Sequence, residues 1–173
     1  MKSLLYILLA ILIITACEKP ATEEEWGYSL LYIPQAVLQS GGANNNFYVE
    51  LNASSSPDTS IVVGLYRSGM APVEAVSVEL SVDADSLNQA ISGGLISNAV
   101  LLDPMYYQLP ATLSLKAGNR SNYDYIVIHK DLLWNDTEPD DMRFILPVRI
   151  SNPTLYELNE DLSLCMFVFT RNK

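Results

Sequence analysis

Two groups of residues in this 173-residue chain have types and spacings that do chemistry: one cysteine near the start, and a scatter of aromatics beside amides and carboxylates. Cys17 closes the box Ile14-Thr15-Ala16-Cys17. An apolar residue, two short ones and then cysteine is what a lipoprotein signal peptidase reads, because small side chains let an extended backbone enter a narrow active site. The thiol then takes a diacylglycerol, and cleavage leaves Cys17 as the new N-terminus. One acyl chain holds a protein only marginally, at about 0.8 kcal/mol per buried CH₂, so a cysteine carrying two or three chains is what makes the anchor stable. The plainer alternative is an ordinary secretory signal with an incidental cysteine.

The aromatics offer a different chemistry. An aromatic face stacks on the apolar side of a pyranose ring while neighbouring amides bond the hydroxyls. Trp134 stands beside Asn135 and Asp136, and Tyr106-Tyr107 precedes Gln108; Trp134, Asn135, Tyr106 and Tyr107 are therefore the candidate sugar-binding residues. Trp134, set in a polar stretch, is the aromatic most expected to face solvent. Tyr123 and Tyr125 alternate with Asn122 and Asp124 and share one face of a strand. They are assigned to the core, since aromatics fill sandwich interiors.

Catalytic and metal chemistry find less support. Glycoside hydrolysis needs two carboxylates converging across a bond, whereas the acidic residues here gather in loops, most densely in Asn135-Asp-Thr-Glu-Pro-Asp-Asp141. That stretch lacks calcium-loop spacing and its central Gly, so a solvated loop is expected rather than a Ca²⁺ site. His129, the one histidine, has no positioned nucleophile in the sequence and is read as structural. No phosphate loop, dinucleotide fingerprint or zinc spacing occurs. No catalytic residue, metal or cofactor is assigned. Asp85-Ser86-Leu87 matches a short pattern for protein O-glycosylation, but capping of a helix is the better use of Asp85 or Ser86.

The elements that would position these residues follow from patterning. Lys2 and the apolar run Leu4–Ile14 form a signal peptide ending at residue 16, too short to span a bilayer comfortably. Residues 17–25 are a lipidated cysteine and a polar acidic tether, Glu18-Lys-Pro-Ala-Thr-Glu-Glu-Glu25. Residues 26–173, starting at Trp26, are one domain. Strands are predicted at 28–33, 47–51, 61–66, 75–82, 112–115, 123–128, 143–150 and 162–170, with turn-forming clusters between them. The clearest is Ala75-Val-Ser-Val-Glu-Leu-Ser-Val82, where Val76, Val78, Leu80 and Val82 share one face. One helix is predicted over 83–92, with Asp83 or Asp85 capping it, Leu87, Ala90 and Ile91 on one face and Gly93-Gly94 ending it. Pro147 inside a strand suggests an edge strand or a bulge. The fold class is all-β, an immunoglobulin-like sandwich of about seven to nine strands with one short helix. Cys165, alone in the apolar run 164–169, is expected to be a small buried hydrophobe.

The net charge is −10, and cleavage before Cys17 would remove Lys2 and no carboxylate. Such a surface repels nucleic acid and anionic lipid.

Three stretches together resemble a known family. They are Tyr106-Tyr-Gln-Leu-Pro-Ala-Thr-Leu-Ser-Leu-Lys-Ala-Gly118, Phe144-Ile-Leu-Pro-Val-Arg-Ile150 with Leu155-Tyr-Glu-Leu-Asn159, and upstream Val62-Val-Gly-Leu-Tyr-Arg-Ser-Gly69. Their order is similar to a Bacteroidetes domain of unknown function found at the N-terminus of surface glycan-binding proteins from polysaccharide-utilisation loci, and before domains similar to family-18 endoglycosidases. The resemblance runs from about Tyr28 to Phe169. It implies a non-enzymatic lipoprotein of the outer membrane, displayed at the cell surface, that binds a polysaccharide or oligosaccharide or supports its capture. The periplasmic face is the other possible location. Acidic residues soon after Cys17 resemble the surface-export signals of Bacteroidetes lipoproteins. The alternative role is an adaptor docking onto another outer-membrane protein. With Lys173 last, no second module is expected behind the domain.

Overall fold

The computed structural model describes residues 29–37, 45–52, 56–69 and 74–172. Cys17, the apolar run before it, the acidic tether and Trp26 lie outside the described residues. In chain order the strands are β1 (Leu30–Tyr32), β2 (Asn46–Asn52), β3 (Thr59–Arg67), β4 (Val76–Val82), β5 (Ala99–Leu101), β6 (Tyr107–Gln108), β7 (Thr112–Leu115), β8 (Ser121–Ile128), β9 (Arg143–Ser151), β10 (Glu157–Leu158) and β11 (Leu164–Asn172). Two α-helices interrupt them, α1 (Ala84–Ser92) and α2 (Lys130–Trp134), and Pro34–Ala36, Pro104–Tyr106 and Glu160–Leu162 make single 3₁₀ turns.

The strands form two sheets. One has the order β10-β1-β3-β8-β6; the other runs β2-β11-β9-β4-β7, with β5 parallel to β9 beside it. The first two strands go to different sheets. β1 pairs antiparallel with β3 in the first sheet, and β2 pairs parallel with β11 in the second. This is an immunoglobulin-like sandwich, as the patterning predicts.

Alternation fills the space between the sheets. Leu31, Ile33, Val63, Leu65, Ile126 and Ile128 face inward from the five-stranded sheet. Val76, Val78, Phe144, Leu146, Phe167 and Phe169 meet them from the other. Cys165 is buried in this core, and burial pushes its thiol pKa up, so it serves as a small hydrophobe.

The outer face of the second sheet is covered by α1. Leu87 and Ala90 pack on Ile145, Met166 and Val168, a smaller apolar cluster outside the sandwich. The helix starts where the sequence says it should. The Asp83 carboxylate accepts from the Ser86 amide at 3.0 Å and the Ser86 hydroxyl at 2.8 Å, and the Arg149 Nε donates to it at 2.5 Å. Ile91, by contrast, stands at the exposed edge of the helix. With its serine hydroxyl held in this cap, Asp85-Ser86-Leu87 is helix structure.

Pro147 corrects one expectation. β9 is an interior strand, flanked by β11 on one side and by β4 and β5 on the other. The Arg143 amide, the Ile145 carbonyl and the Pro147 carbonyl all bond on the β4–β5 side. The missing N–H of Pro147 therefore points into the gap between the end of β5, which pairs as far as Ile145, and the start of β4 pairing at Val148. A proline fits an interior strand here because no strand lies opposite its nitrogen.

Candidate functional site

The residues picked from sequence for sugar contact do come together, at one end of the sandwich. The 3₁₀ turn at Pro104–Tyr106 and the helix α2 pack side by side, and the His129 amide donates to the Tyr106 carbonyl at 2.8 Å. Tyr106, Tyr107 and Trp134 are half-buried and pack against the main core. Asn135 is exposed, and its side chain donates back to the Asp131 carbonyl at 2.8 Å. Trp134 lies at the end of α2 with only part of its surface open, which differs from the expectation that it is the most solvent-facing aromatic. The reason is that Lys130–Trp134 folds as a helix turn whose Leu133 is buried, drawing its neighbour inward.

The acidic loop beside it already contains a cation. Arg171, at the end of β11, has its side chain fully buried. Its guanidinium donates to the carbonyls of Leu133 at 3.3 Å, Asp136 at 3.0 Å, Glu138 at 2.5 Å and Pro139 at 2.8 Å, and it lies 5.1 Å over the Phe144 ring. The Asp136 carboxylate is engaged as well. One oxygen accepts from the Tyr106 hydroxyl and the other from the Glu138 amide at 2.7 Å. The bond to Asp136 favours the neutral phenol, and with burial it pushes the Tyr106 pKa up to about 12. The loop 135–141 is thus wrapped around an arginine, and oxygens that would face a metal ion face a guanidinium.

His129 completes this end. Its Nδ1 lies 2.9 Å from Asp58 Oδ1, tying the start of α2 to the segment before β3. Among the described residues no group of three or more His, Cys, Asp or Glu is placed to hold a metal. An open groove of about 830 Å³ near the other end includes the exposed Glu157 and Glu160 among its lining residues.

The open aromatic surface lies elsewhere, on the outer face of the five-stranded sheet. Here the assignment of Tyr123 and Tyr125 to the core is corrected. Both rings are exposed, 59% and 47%, and meet edge to face with centroids 5.8 Å apart. Ile126 and Ile128 take the core positions of β8, and alternation sends the tyrosines outward. The register extends that surface across the sheet. Tyr125 stands opposite Val62, Tyr123 opposite Gly64, and Tyr66 opposite Ser121. Tyr66 is in turn opposite Tyr32 on β1, with ring centroids 5.2 Å apart. At the β6 side the next rung is Gln108, Val127 and Ser60.

Gly64 keeps the middle of this surface low. A Cβ built there would sit 2.8 Å from Pro34 Cγ, so the proline ring lies against the glycine and the two form a flat saddle between the tyrosine pairs. The Gln35 side chain holds that turn in place by accepting from the Gly64 amide at 3.0 Å.

Sequence reading did not single out Tyr32 and Tyr66. The available signal was their position between aliphatic neighbours, Leu31 and Ile33, and Leu65, which claim the inward face.

A family model described as a “-like, N-terminal domain” matches residues 27–157. No curated protein matches the chain. Among solved structures, a proposed carbohydrate binding protein of Bacteroides ovatus superposes with a TM-score of 0.61 at 16% identity, over 83% of this chain and 37% of that one. EndoBT-3987 of Bacteroides thetaiotaomicron, solved with its Man5GlcNAc product, gives a TM-score of 0.57 at 18% identity, over 82% of this chain and 30% of the other. An auxiliary nutrient binding protein of the same species gives 0.55 at 13% identity, over 75% and 45%. The chain therefore spans less than half of each, and what they share with it is the fold.

Proposed function

The chain belongs to that family of N-terminal domains, and from this premise we propose that it is a non-catalytic glycan-capture module, carried on a lipid anchor at Cys17 and displayed at the outer surface of the cell. The observation that carries the glycan reading is the pair Tyr123 and Tyr125, two exposed rings on a sheet face at 5.8 Å. Exposed aromatics in such a cluster mark an interaction surface. Tyrosine suits sugar because its ring is apolar and its hydroxyl stays wet. The neighbours described as binding carbohydrate or nutrients support the same reading.

The anchor reading rests on the box that ends in Cys17 and the h-region before it. Substitution of Cys17 by Ala is expected to abolish palmitate labelling and release the protein from membranes; labelling that persists would remove the anchor from the account. Protease added to intact cells is expected to digest the domain, and full protection would place it on the periplasmic face. For capture itself, the mature chain with Cys17→Ser is applied to a glycan array beside Tyr123→Ala/Tyr125→Ala. Binding that the double substitution abolishes is expected.

One feature favours a second reading, docking to another protein. Met105 and Leu132, on the packed 3₁₀ turn and α2, are both exposed beside the acidic loop. An empty array together with capture of a neighbouring outer-membrane protein that Leu132→Asp abolishes would make this the function.

A further inference from the structure

We propose that the ligand of this sheet face is an uncharged, extended glycan, lying across both tyrosine pairs and the saddle between them; this rests on the glycan reading above. Three observations carry it. The first is the absence of charge. Charged side chains make up 17% of the chain, yet none stands among the outward residues of four successive rungs, and the exposed charges nearest them on β8 and β10, Asp124 between the two tyrosines and Glu157 opposite Leu30, are carboxylates. Those rungs hold Gln108, Val127 and Ser60, then Tyr125 and Val62, then Tyr123 and Gly64 beside Pro34, then Ser121, Tyr66 and Tyr32. A surface meant for a uronate or a sulfate would present Arg or Lys, since only a cation offsets the cost of desolvating an anion. The protein's net charge of −10 adds a field that repels such polymers.

The second observation is the angle of the Tyr123–Tyr125 pair. The rings lie 83° apart, so one presents its face while the other stands against it. Together they make a corner with a floor and a wall. A pyranose lying on the floor would direct ring C–H bonds at the negative face of the aromatic and keep its equatorial hydroxyls at the rim. The third is continuity. Beyond the corner comes Gly64, covered by the Pro34 ring in place of a side chain of its own, and then the Tyr32–Tyr66 pair, whose rings are tilted 41° to each other. A site for one terminal sugar needs the corner alone. A low saddle leading to a second aromatic pair fits a chain that passes through. Ser60, Ser121 and Gln108 flank the strip with hydroxyl and amide groups that bond sugar hydroxyls without selecting for charge.

The test is calorimetry on the mature chain carrying Cys17→Ser. Neutral oligosaccharides of increasing length are titrated beside carboxylated and sulfated polysaccharides, in low and high salt. Affinity is expected to climb with ligand length until both tyrosine pairs are covered and then level off, with little change on adding salt, since no counterions are released. Tyr123→Ala and Tyr66→Ala are each expected to weaken binding roughly tenfold. Because Tyr66 is half-buried, Tyr125→Ser supplies an exposed variant that leaves the core alone. Tyr48→Ala, removing an exposed ring on the other sheet, is expected to bind like the parent. A ligand that is anionic, with affinity falling steeply in salt, overturns the uncharged class while leaving glycan capture intact. A neutral ligand whose affinity is flat with length, or indifferent to Tyr66, overturns the extended site. Failure of every glycan to bind removes the capture reading, and this inference with it.

Discussion

Arg171 and Asp83 show how single charges are placed to hold irregular chain in this molecule. The Arg171 guanidinium gathers four loop carbonyls inside the protein. Replacing it with Met leaves those carbonyls without their donor and is expected to cost about 3 kcal/mol or more, measured by urea denaturation. Lys is not expected to rescue it, because an ammonium cannot present a planar fork to four acceptors. Asp83 works differently. Burial raises its pKa, but the Ser86 amide and hydroxyl and the Arg149 guanidinium outweigh that and leave it below the usual 3.8. A carboxylate with a lowered folded-state pKa contributes its stability above the unfolded value and loses it as pH falls through the folded one. The parent is therefore expected to lose stability below about pH 4 more steeply than Asp83→Asn. At neutral pH, Asp83→Ala is expected to cost about 1 kcal/mol from the cap alone. Tyr106 has the opposite sign. Its raised pKa means that its contribution is intact below pH 10 and is lost as the pH climbs toward about 12. Asp83 as a cap was legible, because Asp before an apolar helical pattern is a local signal. The embrace of the loop by Arg171 was not, since the two are 32 to 38 residues apart in sequence and nothing local pairs them.

At the scale of elements, the two outer faces of the sandwich have opposite fates. One carries α1, whose Leu87 is fully buried against Ile145 and Val168. Leu87→Ala is expected to destabilise the protein by about 2–5 kcal/mol, a range set by how far the helix can settle into the space. Among the described residues no helix covers the other face, and there the tyrosines stand. The alternating run Val76–Val82 was legible because alternation is what a half-buried strand requires. β5, β6 and β10 were not, since strands of two or three residues exist only through their partners' hydrogen bonds. In Tyr123–Ile128 alternation established that the tyrosines share a face but not which one. Ile126 and Ile128 decide it, because aliphatic side chains fill a sandwich interior without a hydroxyl to satisfy.

For the whole molecule, the sandwich was legible from the spacing of strands and turns, while the place of the aromatic surface was not. Trp134 looked available because it stands in polar sequence and Tyr106 because Tyr106-Tyr107 precedes Gln108, yet tertiary packing turns both partly inward. The tyrosines of the sheet looked like core and face out. The molecule is a small acidic body with one aromatic face whose tyrosine-bearing rungs hold no charged side chain, on the proposed anchor and tether at its N-terminus. Because a neutral glycan brings no charge for salt to screen, its affinity is expected to be nearly independent of ionic strength.

The most direct measurement is NMR of the mature chain with ring-labelled tyrosine, titrated with a neutral oligosaccharide that binds. The full chain has ten tyrosines, and the mature chain keeps all but Tyr6, few enough for each ring to report separately. The account predicts shifts concentrated on Tyr32, Tyr66, Tyr123 and Tyr125, with Tyr106 and Tyr107 unmoved. Shifts at Tyr106 and Tyr107 with the sheet tyrosines silent would contradict it, and would move the site to the end of the sandwich beside Trp134.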